Sequence, residues 1–181
     1  MSVETHHQTQ TLKIYLFYRL ILAAMLYVMH ETKVASSVFG NHLPELFRWS
    51  SLIYVGVALI PIVTTRTKDL VDSTHKISMV LAADVLLVLA MIHASGGVES
   101  GLGYLLLICA AVGSMFLNGQ LSIAFAAAIC LFLIGESIYS SNQYTELSKS
   151  LFASGTLGAL VFITAITFKY LADRIRITTL K

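Results

Sequence analysis

Charge is the scarcest ingredient of this sequence: 12% of its 181 residues are Asp, Glu, Lys or Arg, against 56% that are hydrophobic. With a mean hydropathy of +0.78, the chain has too little polar surface to cover so much apolar material in water, which excludes an ordinary soluble domain. Cysteine is nearly missing as well. Cys109 and Cys130 both fall inside apolar runs, where a thiol acts as a small hydrophobe, and no CxxC pair is present. The sequence also lacks a Gly-rich phosphate loop, a nucleophile elbow and an HExxH pair. Its longest polar stretches, about a dozen residues each, are too short to fold as a catalytic domain. The chain is therefore expected to catalyse nothing by itself and to need no cofactor or metal. Its basic residues follow the ends of the apolar runs instead of forming one continuous surface, which argues against nucleic acid as a partner.

What remains is membrane language. Six apolar runs stand out, at 14–30, 49–65, 77–94, 104–117, 121–139 and 151–171. Most approach the ~20 residues that carry a helix across ~30 Å of hydrocarbon, and the fourth is short. Lipid offers no partner for free N–H and C=O groups, and nothing alternates with the period of a transmembrane barrel, so each run is expected to be helical. The expected fold is an all-α, polytopic bundle of six transmembrane helices over 14–171. A cytoplasmic tail, 1–13, precedes it, and a cytoplasmic segment, 172–181, follows, which the resemblance described below makes the start of a signalling linker. The first run is not expected to be a cleaved signal peptide, because Tyr27, Met29, His30 and Glu31 provide no small-residue cleavage site.

Basic residues set the orientation. A cytoplasmic N-terminus puts Lys13, Arg19, Arg66, Lys68, Lys76, Lys169, Arg174, Arg176 and Lys181 inside, against Lys33, Arg48 and Lys149 outside. This bias places both termini in the cytoplasm. The inner turn Asn118-Gly119-Gln120 carries no Lys or Arg and is the exception.

Arg19, Asp84, His93 and Glu136 are ionisable residues within the runs. Lipid excludes such groups, so each is expected to face the bundle interior, a water-filled cavity or an interface. Arg19 and Asp84 both fall roughly 10 Å from the cytoplasmic side at ~1.5 Å per residue, and are expected to be able to pair. Such a pair serves either as a packing clasp or as a sensing element. His93 and Glu136 lie near the outer ends of their runs, close in depth to Glu99, where side chains can also reach headgroups or water. The spacing of His30, Glu31, His42 and Glu45 matches no metal-ligand pattern.

Between the third and fourth runs stands SGGVESGLG, with Ser95, Gly96, Gly97, Glu99, Gly101 and Gly103. It is expected to be an external hairpin whose glycines permit a tight turn at the lipid edge. Small residues four apart, Ala110 with Ser114, Ala124 with Ala128 and Ser154 with Gly158, allow close backbone approach. They serve internal packing or form a groove for a partner's transmembrane helix. Pro61 is expected to kink or loosen the second helix.

The stretch from Ala83 to Tyr139, with Asp84 followed by HASGGVESGLG as its most specific part, resembles the membrane sensor region of PilS-type histidine kinases, and the likeness extends to YRLILA at Tyr18 to Ala23. The resemblance implies a sensing module whose ligand is the major pilin, read in the inner membrane as an inventory signal. The pilin helix carries a glutamate near its start, at a depth close to Arg19 and Asp84, and our hypothesis is that this helix docks against the small-residue groove and its glutamate competes with Asp84 for Arg19. In the family a PAS domain and kinase domains follow the bundle and act on a response regulator. After LADRIRITTLK the present chain stops, so any response-regulator contact would run through domains it lacks. The signal is then expected to leave through the last helix, where Leu171, Ile175 and Thr178 have a roughly heptad-like spacing that suits a homodimer, although the same segment also reads as a charged stop-transfer flank. The rival readings are a compact transporter or channel, and a membrane scaffold without signalling output.

Overall fold

Peptide groups in lipid must be satisfied within their own segment, and the backbone answers with helices throughout. The computed structural model describes residues 3–34, 38–64, 74–141 and 147–179. Within these, α1 spans Val3–Glu31, α2 Pro44–Thr64, α3 Thr74–Ala94, α4 Leu105–Phe116, α5 Gly119–Ser141 and α6 Leu147–Thr179. Two short 3₁₀ turns, Val98–Ser100 and Leu102–Tyr104, join α3 to α4. Thr65, Arg66, Lys68 and Lys181 lie outside the described residues.

Among the described residues, five helices contain stretches long and apolar enough to cross a membrane, namely Gln10–Glu31, Pro44–Ile62, His75–Ala94, Gly119–Ser140 and Leu147–Ile175. The fourth helix is different. α4 has 12 residues, which at ~1.5 Å each is about 18 Å, short of the ~30 Å slab. The 3₁₀ turns make up part of the deficit by folding into the bundle. Val98, Leu102 and Gly103 are buried there, so the glycine-rich stretch is a packed connector more than a loop at the lipid edge.

The surface is the inverse of a soluble protein's. Met79 is 75% exposed and Phe152 77%, while Arg19 and Asp84 are 1% and 0% exposed. Apolar side chains lose nothing by facing lipid tails, whereas charges must turn inward. α6 packs on α5 and α4, α1 on α2, and α3 lies against α2 and α4. One large apolar cluster fills the bundle around Leu26, Val88, Ile92, Leu106, Ile129 and Val161. A smaller one joins Leu12, Tyr15 and Leu16 of α1 to Ile77 and Leu81 of α3 and to Leu117 after α4. We call the end of the bundle that holds this small cluster the terminal end, because α1 begins and α6 finishes there.

At the opposite end the first loop is tied down. The backbone N–H groups of His42 and Leu43 both donate to the Ala94 carbonyl, and that of Gly40 donates to Ser95 Oγ at 3.0 Å. These bonds satisfy acceptors that the end of α3 would otherwise leave open. Gly97 has φ +96°, and a Cβ there would stand 2.7 Å from Ser140 Oγ. Only glycine meets both demands.

Candidate functional site

α1 and α3 are joined by long side chains more than by close backbone packing. Arg19 follows Tyr15 by one helical turn, so the two share a face of α1. Arg19 Nη2 stands 2.6 Å from Asp84 Oδ1, and Tyr15 OH donates to Asp84 Oδ2 at 2.5 Å. From α2, the Tyr54 ring lies 5.6 Å beneath the Arg19 guanidinium carbon, a cation–π contact that a desolvated site strengthens. Arg19 is nine residues from Gln10 and Asp84 nine from His75, where their apolar stretches begin, so the pair sits level at about 14 Å from the terminal end.

The arrangement is electrically balanced but incompletely hydrogen-bonded. Arg19 Nε and Nη1 have no hydrogen-bond partner among the described residues. A guanidinium offers five N–H donors, and a buried donor left open costs about 1–3 kcal/mol. Beside it, a cleft of about 10 Å³, room for roughly one water, is lined by Tyr18, Leu22, Tyr54, Leu105, Ile108 and Cys109 along with Arg19. Nε and Nη1 thus retain N–H groups with capacity to donate.

His93 and Glu136 also meet. His93 Nδ1 lies 2.9 Å from Glu136 Oε1, linking α3 to α5, and the Tyr139 ring packs on the imidazole at 5.4 Å between centroids. Both side chains are partly buried, so they reach each other before water. This pair is nine residues along α3 from Asp84, about 14 Å away. Arg19, Asp84, His93 and Glu136 therefore make two separate pairs.

The small residues are distributed unevenly. Ala110, Ser114, Ser154 and Gly158 are buried, Gly158 with its backbone against Cys130 Sγ. Ala128 is half-buried and Ala124 is exposed. Most of this set packs helix on helix within the chain. Glu31 pairs with Arg48 at 2.9 Å, and the His30 ring packs on Phe47, so these members of the first-loop group are engaged elsewhere.

Two partners escaped the sequence reading. Tyr15 and Tyr54 look like ordinary interfacial aromatics, and the available signal was the turn spacing from Tyr15 to Arg19. Lys169 was also missed. It donates from α6 to the Leu117 carbonyl at 3.4 Å and pairs with Asp173, which brings a cation beside the Asn118-Gly119-Gln120 turn that lacks one of its own.

With this geometry in view, the family model for the PilS-like transmembrane domain matches residues 1–180. The chain is 28% identical over 164 residues to the sensor protein kinase PilS of Pseudomonas aeruginosa, an alignment covering 90% of the chain and 30% of that kinase. It spans under a third of that relative's length. No solved structure matches. Together with the apolar helices, the family match makes the chain a multi-pass inner-membrane protein and a membrane sensory module.

Proposed function

Because the chain belongs to the family of PilS-like transmembrane domains, we propose that it is the sensing bundle of a two-component histidine kinase and reads pilin within the inner membrane. Both termini face the cytoplasm, as the distribution of Lys and Arg supports. The kinase acts as a homodimer, and its response regulator meets the kinase domains, not this bundle. The signal leaves through α6. At 33 residues this helix is about 50 Å long and outruns the hydrocarbon slab.

The observation that carries the reading is the open guanidinium. Two of its buried nitrogens make no hydrogen bond among the described residues, which leaves N–H donors that a carboxylate-bearing helix can engage. The pilin glutamate competes with Asp84 for Arg19, while Tyr15 keeps Asp84 hydrogen-bonded. The helix approaches where α1 and α4 meet at Tyr18, Leu22, Leu105 and Ile108.

In full-length kinase, raising pilin should change reporter output in the parent and leave it unchanged in Arg19→Gln. Single cysteines at Leu22 or Ile108 should cross-link to pilin, and cysteines on the far face at Leu131 should not. Pilin-dependent output that survives Arg19→Gln in a normally inserted protein would refute the mechanism. Solute uptake by vesicles containing the purified bundle would favour a transporter.

A further inference from the structure

Away from the ion pairs, a groove of about 290 Å³ runs between the 3₁₀ turns and the first part of α6. One wall is Val98, Glu99 and Tyr104, and the other is formed by α6, notably Phe152, Leu157 and Leu160. Its glycines keep it open: Gly103 brings backbone against Leu157, and a Cβ on Gly101 would meet nothing within 4 Å. From Phe152 to Leu160 the groove descends about 12 Å along α6, at ~1.5 Å per residue, from the membrane interface toward the apolar middle.

Size and charge decide what fits. The groove holds about 290 Å³ over its ~12 Å length, a slot suited to one extended acyl chain and narrower than a helix of ~10 Å diameter. At the mouth, Glu99 is the one charged residue of the lining, is exposed, and makes no ion pair among the described residues. Lys149 stands one turn before Phe152 and Ala153 on the same face of α6. An acidic group and a basic group thus flank the top of an apolar slot.

We propose that this groove is a lipid site that selects an ethanolamine phospholipid, with the ammonium on Glu99, the phosphate toward Lys149 and one acyl chain along Phe152 to Leu160. A phosphatidylcholine headgroup carries the same charges, but its methylated ammonium has no N–H to donate to Glu99. A phosphatidylglycerol headgroup brings no cation at all. The site therefore reports lipid headgroup chemistry at the end of the bundle opposite the Arg19 pair. It stands independently of how the pilin reading fares.

The purified domain in detergent, titrated with phosphatidylethanolamine, phosphatidylcholine or phosphatidylglycerol, tests this by native mass spectrometry and by thermal shift. We expect one ethanolamine lipid per chain to be retained. Glu99→Gln should reduce the preference for ethanolamine over choline by about two- to five-fold, the scale of one part-exposed charged contact. Ala153→Phe should fill the slot and weaken binding of all lipids while the domain stays folded by circular dichroism. Equal retention of the three lipids by the parent, or binding unchanged in Ala153→Phe, would overturn the proposal. If Ala153→Phe fails to insert, Leu160→Trp serves as the filling variant, with the same two outcomes.

Discussion

Removing one member of the Arg19–Asp84 pair should destabilise the bundle far more than removing both. The two side chains are 1% and 0% exposed and 2.6 Å apart, so Asp84→Leu strands a guanidinium whose other nitrogens already lack acceptors. Breaking a buried pair by deleting one partner costs about 3–5 kcal/mol, whereas replacing both with apolar residues of similar volume is near neutral or stabilising. Arg19→Met and Asp84→Leu are therefore each expected to cost about 3–5 kcal/mol, and the double variant to lie within about 1 kcal/mol of the parent. The coupling read from the cycle is then at least ~5 kcal/mol. Unfolding of the purified domain in mixed micelles, followed by circular dichroism, measures all four species. Costs that simply add in the double variant would mean that the charges do not rely on each other, and the account of the site would fail. Tyr15→Phe provides an internal scale, with an expected loss of about 1.5–3 kcal/mol for a hydrogen bond to a charged group. The same double variant in the full-length kinase separates the two uses of the pair: restored stability with lost pilin response identifies sensing, and full recovery of both identifies a clasp.

Two further perturbations test the packed connector and the output helix. A Cβ on Gly103 would stand 2.4 Å from Leu157 Cδ2, so Gly103→Ala should cost about 1–3 kcal/mol in the same assay, and Leu157→Ala in the same chain should recover part of it. Lys169→Met should cost at most ~1 kcal/mol, since this lysine is partly exposed, yet it should uncouple kinase output from pilin. Output that still follows pilin in Lys169→Met would remove that lysine from the signal route.

The architecture was legible because the bilayer permits so few solutions. Composition alone demanded helices, and counting residues from the charged flanks put Arg19 and Asp84 at one level, which is where they meet. What counting misses is rotation about each helix axis. His93 and Glu136 were legible as neighbours in depth but not as partners, because a partner must also face the right way, and their surroundings are too evenly apolar to show which face is inside. The glycine-rich stretch misled for a different reason. Turn chemistry reads as a surface loop in water, but α4 is too short to span, and its connector satisfies the slab by folding inward, carrying Val98 and Leu102 into the core.

The weakest joint in the bundle lies where the sensing reading needs movement. α1 packs closely on α2, and its hold on α3 rests on the Arg19 pair, the Tyr15 hydrogen bond and the small cluster at the terminal end. Leu117 belongs to that cluster and also ends α4 in an extended conformation, with φ −85° and ψ 151°. It shares that cluster with Leu12 and Leu16 of α1, while its carbonyl accepts the hydrogen bond from Lys169 of α6. One residue thus touches the helix that an incoming acceptor would displace and the helix that leaves the membrane. A ligand can shift an equilibrium only by its differential affinity for two arrangements. If an acceptor on a partner helix engages Arg19, Leu117 links that event on α1 to α6 through the shared cluster and the Lys169 hydrogen bond.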